Sequence, residues 1–247
     1  MAEKKAVAKK TARKKKTSGK LAVPKLRKAL WDKAQRLLEE SLKTEEKQPE
    51  FETMPLVTIQ EKAGRAIQQF LDTDGLLCAL NVNERTLTYR IARCLEDEFP
   101  NHDVDCEYNR KGYNDTKWLE EYPNNTSTRD TTGTTAFPDI IIHCRTVELA
   151  NLLVVEIKKS TNPQKDKRDK EKLEHLVKGN QYQYTAGLFL EITTGIDILE
   201  EDVIFARGYW ITKADAEPKA MKVLARTKGT LPKPILEHLV RHGLTNH

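Results

Sequence analysis

The stretch "NLLVVEIKKS", Asn151 to Ser160, decides how this chain is to be read. It begins as a buried strand should, with the apolar run Leu152 to Val155. Without any turn signal it then carries Glu156, Lys158 and Lys159. A strand buried on both faces reads as a continuous apolar run, and a charge taken out of water is costly unless it is paired or holds a metal. Either the strand reaches solvent by Glu156, or its charges serve a site. Side chains alternate across a strand, so Glu156 and Lys158 share one face and Lys159 takes the other.

Working outward, "FPDIIIHCR", Phe137 to Arg145, reads as a second apolar strand, and the short "TVELA" connection predicts an antiparallel hairpin. Asp139, Ile141 and His143 share a face of that strand. If its register matches, Asp139 lies opposite or diagonal to Glu156 and Lys158, roughly 5 to 8 Å away. Two carboxylates and an ammonium then converge at one sheet end. Mg²⁺ is commonly held by one or two carboxylates plus waters and substrate phosphate, and Asp139 and Glu156 meet that need. A neighbouring lysine can orient or deprotonate the attacking water, or offset charge developing on a phosphate. Taken singly, Pro-Asp can simply start a strand and Glu-x-Lys can simply end one in solvent.

Further upstream, "NERTLTYRIARCLEDEF" predicts a helix, with Leu87, Ile91 and Leu95 four apart. Glu84 sits within about 60° of that apolar stripe at 100° per residue. A structural role competes there, because Asn81 and Glu84 fit a capping box with Asn81 as N-cap. "VDCEY" alternates like a strand, with Val104, Cys106 and Tyr108 on one side and Glu107 on the other. A polar stretch from Asn109 to Ala136 reads as a long loop, and such loops are commonly functional or disordered. After the hairpin come a lysine-rich helix over 166–178 and the strands "AGLFLEIT" and "DVIFARGYWIT". The last forty or so residues give no clear pattern.

The order "NERTLTYRIA", "DVDCEYNR", "FPDIIIH", "LLVVEIKKS", "GLFLEI", with Pro138-Asp139 followed by Glu156-Ile157-Lys158, resembles the PD-(D/E)XK nuclease superfamily, in particular a group of small stand-alone bacterial proteins. The resemblance covers about Asn83 to Ile192. It implies an α/β fold, a mixed central β-sheet flanked by helices with a restriction-endonuclease-like core. It also implies Mg²⁺-dependent cleavage of nucleic-acid phosphodiesters, with Mn²⁺ as an alternative ion and DNA as the expected substrate. Asp139 and Glu156 would be the metal ligands, with the Ile157 carbonyl as a third. Lys158 would orient the water, and Glu84 would be the additional acid that such proteins supply from the helix before the sheet. The superfamily's Gln-xxx-Tyr signature after the following helix is not reproduced in "GNQYQYTAG". His238 and His242, four apart, lack the Glu-bearing context of a zinc site.

The formal net charge of the 247-residue chain is +5, yet residues 1–20 hold nine Lys or Arg against Glu3 alone. That segment carries +8, so the remainder carries the difference, −3. Its lack of apolar content predicts a disordered basic tail, and such a run attracts polyanions through salt-sensitive, sequence-blind contacts. Lys14, Lys15 and Lys16 are the candidate nucleic-acid contacts, with a solubilising or localisation role as the alternative. An amphipathic helical arm follows over 21–42, then a linker and a second helix over 57–71. The expected organisation is therefore 1–20 tail, 21–75 arm and linker, and 76–247 nuclease-like domain. No apolar h-region follows the tail and no run approaches a membrane span. Four scattered cysteines without a CxxC pair favour a reducing, cytoplasmic setting. A homodimer, or a nuclease core that needs a protein partner, is a further reading. A non-catalytic nucleic-acid-binding or scaffold protein on the same fold is the competing reading.

Overall fold

The structure, a computed structural model, describes residues 23–243 except 44–53, 109, 112–114, 117, 120–133, 136, 146–149, 165–166, 181, 202, 228 and 230. The tail with Lys14, Lys15 and Lys16 lies outside the described residues, as does most of the linker. The chain divides into two compact units, Met1–Glu50 and Phe51–His247. In the first, α1 (Val23–Lys43) is an amphipathic helix whose residues from Arg27 to Glu40 are all exposed, Leu30, Trp31, Leu37 and Leu38 among them.

The second unit starts with α2 (Leu56–Asp74), which buries Ile59, Ala63, Ala66, Ile67, Phe70 and Leu71 along one stripe. Spacing of three and four residues places them on one helical face. That face packs on α4 (Glu84–Glu98), which buries Leu87, Ile91 and Leu95. α2 therefore belongs to the sheet domain and not to the arm, because its apolar stripe is part of the domain's own core. Between them lies the short α3 (Leu76–Ala79) and a reversal at Asn81, whose φ of 52° is left-handed. Asn is one of the few side-chain-bearing residues that enters this region readily. The helix cap differs from the expected capping box. Asn83 is the N-cap, with Oδ1 accepting from Thr86 N at 2.8 Å, so Glu84 is the first helical residue.

The sheet is a seven-stranded, mixed, open one. β1 (Asp103–Cys106) follows α4, and the described residues of the polar stretch after it include the two-residue strands β2 (Arg110–Lys111), β3 (Asp115–Thr116), β4 (Trp118–Leu119) and β5 (Thr134–Thr135). These pair as β2 with β3 and β4 with β5, outside the main sheet. β6 (Ile140–His143) and β7 (Leu153–Lys159) form the predicted antiparallel hairpin. α5 (Lys167–Lys178) crosses to β8 (Ala186–Ile192), which is parallel to β7. α6 (Asp197–Glu201) leads to β9 (Phe205–Thr212), which pairs on its outer side with β10 (Lys219–Ala220) and β11 (Leu224–Ala225). α7 (Lys233–Gly243) closes the described chain. The spatial order is β1-β6-β7-β8-β9-β10, with β11 also on β9.

Two cores result, one on each face of the sheet. On one face α2, α3, α4 and α7 cover Ile140, Ile142, Leu153, Val155, Ile157, Leu188 and Leu190. On the other, Leu173, Leu176 and Val177 of α5 pack with Ile141, Val154, Phe189, Tyr182 and Tyr184. The expected alternation of "VDCEY" fails at Glu107, whose φ of 50° turns the chain. Val104 therefore packs on the first core while Tyr108 joins the second. Among the described residues no helix is long and apolar enough to cross a membrane.

Candidate active site

The register of the hairpin, Ile140 with Val155 and Ile141 with Val154, continues by one step to place Asp139 opposite Glu156. Opposed residues of an antiparallel pair share a face, here the face covered by α5. The strand has not reached solvent at that point: Glu156 is 3% and Lys158 7% exposed. Each charge is met by a partner from α5. Lys172 Nζ lies 2.6 Å from Glu156 Oε2 and donates to the Phe137 carbonyl at 3.1 Å. Lys158 Nζ lies 3.4 Å from Asp169 Oδ2. The Ile157 N–H donates to Asp139 Oδ2 at 2.7 Å, pinning the first carboxylate to the backbone of the second strand. N–H and C=O of one strand residue point to the same side, so the Ile157 carbonyl is also directed toward the Asp139 end of the hairpin.

Glu156 Oε1 is buried without a hydrogen-bond partner. Burial pushes the Glu156 carboxyl well above the usual range; Lys172 opposes the shift, and the nearby Asp139 and Asp169 reinforce it. Asp139 is raised too, first by burial, against the pull of the Ile157 N–H and Lys172. Two neighbouring carboxyls that each resist ionisation share a need for positive charge, met by a proton or a cation. Lys172 supplies one such charge and leaves Oε1 unmet.

Glu84 reaches the same strand from the opposite face. Its Oε1 accepts from Lys159 N at 3.1 Å and from Asn162 Nδ2 at 2.8 Å, and its charge is felt at Asp139. Lys159, on the other face of β7, is paired: its ammonium donates to the carbonyls of Val82 at 2.9 Å and Asn81 at 3.3 Å. It ties β7 to the turn that launches α4.

The structure thus brings Asp139, Glu156, Ile157, Lys158 and Glu84 to one end of β7, with Lys158 turned to Asp169 and not to the carboxylate pair. Among the described residues no three His, Cys, Asp or Glu side chains converge as a metal cluster. The donor set for a cation is the two carboxylates and a carbonyl, which fits a hard ion that keeps several waters. Three participants escaped the sequence reading: Asp169, Lys172 and Asn162. For the first two a signal was present, since Asp169 and Lys172 fall on the Leu173–Leu176 stripe of α5 at helical spacing. Glu107 is drawn away to Arg85 at 2.8 Å, and Tyr182 and Tyr184 are buried in the second core. His143, on Asp139's face, is buried and bonded to Asp105 at 2.9 Å.

No family model, no curated protein and no solved structure matches the chain.

Proposed function

We propose that the chain is a metal-dependent nuclease of restriction-endonuclease-like fold that hydrolyses phosphodiester bonds, with DNA as the expected substrate. The observation that carries this reading is the opposed pair of half-buried Asp139, just before β6, and buried Glu156 of β7, with Glu156 Oε1 left without a partner. Asp139, Glu156 and the Ile157 carbonyl would hold the ion, Mg²⁺ or Mn²⁺. When bound, such an ion polarises a phosphate oxygen and makes water a better nucleophile at neutral pH.

The chain's own residues have distinct tasks. Asp139 and Glu156 supply negative charge where burial makes it most effective. Lys158 keeps an ammonium at the same strand end, 3.4 Å from Asp169; turned from Asp169 to the carboxylate pair, it would offset charge building on the phosphate and orient the incoming water. Hydrolysis forms a P–O bond from water and breaks one to the sugar; the water's proton leaves as the departing oxygen gains one. Glu84, through Lys159 N and Asn162, fixes the end of β7 relative to α4. Lys172 neutralises Glu156 until a cation is present.

That same Lys172 contact favours a second reading, a non-catalytic nucleic-acid-binding protein whose charges are closed on one another. Cleavage of single- and double-stranded DNA and RNA with Mg²⁺ or Mn²⁺ separates the two. Wild type should cleave at least one of these, and Asp139→Ala should lose at least about a hundredfold, the scale of one removed catalytic interaction. No cleavage of any substrate by wild type would sink the enzyme reading; equal cleavage by Asp139→Ala would sink the site.

A further inference from the structure

A cleft of about 610 Å³ opens on the α4 side of the sheet. Its walls include Thr161 and Asn162, which follow β7, and Gly195 and Ile196, which follow β8. It therefore lies outside the carboxyl ends of the parallel strand pair, the position where open α/β sheets commonly take ligands. Asp139, Glu156, Lys158 and Lys172 do not line it, whereas Glu84 and Lys159 do. The cleft is thus a separate space on the sheet face opposite Asp139 and Glu156, and the two approach each other at the end of β7, where Glu84 and Lys159 lie.

Two left-handed residues shape its wall. Asn81 and Gly195 both have left-handed φ, 52° and 56°. A Cβ on Gly195 would meet the Asn81 side chain at 3.2 Å, and Gly195 N donates to the Cys78 carbonyl at 2.9 Å.

The chemistry of the lining selects among ligands. Ala79, Ile196 and Leu239 are apolar. Asn81 Oδ1 is taken by Thr161 and Asn83 Oδ1 by Thr86, which leaves two amide NH₂ groups as donors. Glu84 Oε1 is taken, which leaves Oε2, and the Asp197 carboxylate also lines the cleft, so two acceptors are offered. His238 and His242 pack ring to ring at 4.6 Å on the α7 wall. A phosphate is disfavoured, because two carboxylates face it and the Lys159 ammonium is committed to backbone carbonyls. A flat heterocycle with donors and acceptors on its edge suits the set: aromatic contact for its face, amides and carboxylates for its edge. A carboxylate accepts well from an exocyclic amino group, as acids do toward cytosine N4.

We propose that this cleft holds an unstacked nucleobase bearing an exocyclic amino group, supplied by the strand whose phosphate lies at Asp139 and Glu156. The source of the base rests on the nuclease reading; recognition of the base by the cleft does not. Deoxycytidine and deoxyadenosine fit; thymidine, which offers no amino group, fits worse.

Metal-free NMR titration of the full chain with deoxycytidine, deoxyadenosine and thymidine tests this, read at the Ile196 and Leu239 methyls and the His238 ring. Deoxycytidine or deoxyadenosine should shift these signals saturably, and thymidine should bind at least about tenfold more weakly, the lower range for one lost base-edge contact. Ile196→Trp, which fills the cleft from a half-buried position, should abolish the shifts. Asp197→Ala, at the rim, should weaken deoxycytidine about tenfold and leave thymidine unchanged. The proposal is overturned if none of the nucleosides moves these signals, if thymidine binds equally, if either variant binds like wild type, or if spermidine displaces deoxycytidine through the acids alone. Because no metal and no cleavage enter, absence of nuclease activity would leave the nucleoside result standing, and normal cleavage by a chain that ignores nucleosides would remove the cleft alone.

Discussion

Burial makes ionisation of Glu156 costlier in the native state than in water, against the pull of Lys172, and this has a measurable consequence. An acid whose folded pKa exceeds its unfolded one adds stability below the unfolded value and loses it as pH rises through the folded one. Between its ordinary value of 4.5 and its raised native value, stability should therefore fall with pH. Glu156→Gln removes that slope but leaves Lys172 without its partner, so the melting temperature of the variant relative to wild type should become less unfavourable as pH rises from 5 to 8. Added Mn²⁺ should raise the wild-type melting temperature and leave Glu156→Gln unmoved, since only a ligand that binds the native state stabilises it. An equal metal-dependent shift in both would remove Glu156 from the proposed site.

Asp105 has the opposite sign. Burial disfavours its charge, but hydrogen bonds from His143 and Arg145 outweigh that and hold its carboxyl well below the usual range. Its contribution is present above the unfolded value of 3.8 and is lost as pH falls through the folded one. Asp105→Asn should cost about 1–3 kcal/mol at pH 7, the scale for a buried charged hydrogen bond. Urea unfolding at pH 7 and pH 3 should show that penalty shrinking on acidification; a pH-independent cost would refute the charge argument. At this scale the sequence disclosed which charges share a face of β7, because alternation is local. Their partners were not disclosed. That Lys158 meets Asp169 and Glu156 meets Lys172 depends on how α5 docks, a tertiary fact.

At the scale of elements, β7, β8 and β9 were legible because each carries a short apolar run, Leu152 to Val155, Leu188 to Leu190 and Tyr209 to Ile211. β10 and β11 were not, since two-residue strands carry too few side chains for a period to show. α2 was read as a helix with its correct face, yet its membership in the core could not be read from its own stripe. β9 also contains a close approach that sequence gives only as a glycine. A Cβ on Gly208 would fall 2.0 Å from the Phe189 carbonyl oxygen on the neighbouring strand. That contact is backbone and cannot swing away, so β8 and β9 would have to part. Gly208→Ala should destabilise by roughly 2–3 kcal/mol, the range for overpacking a closed core. Chemical denaturation would show it, and a change below about 0.5 kcal/mol, ordinary for surface positions, would mean the strands accommodate a side chain there.

For the whole molecule, the division at residue 50 separates two kinds of physics. The unit from Phe51 onward holds both cores and every residue of the carboxylate site, so folding and chemistry should be its property alone. Residues 1–20 hold nine cations against one acid, and the rest of the chain is net negative, so affinity for a polyanion should reside chiefly in the tail. A chain of residues 51–247 should unfold cooperatively at nearly the full-length temperature and retain turnover at saturating substrate. Its binding to DNA, measured between 50 and 200 mM salt, should weaken and lose salt dependence. Each phosphate contact removed flattens the slope of log K against log salt by about 0.7 to 0.9, so loss of Lys14, Lys15, Lys16 and part of their surroundings should remove several units. A truncated chain with the full-length slope would place the phosphate contacts on the sheet domain and leave the basic tail without a part in binding.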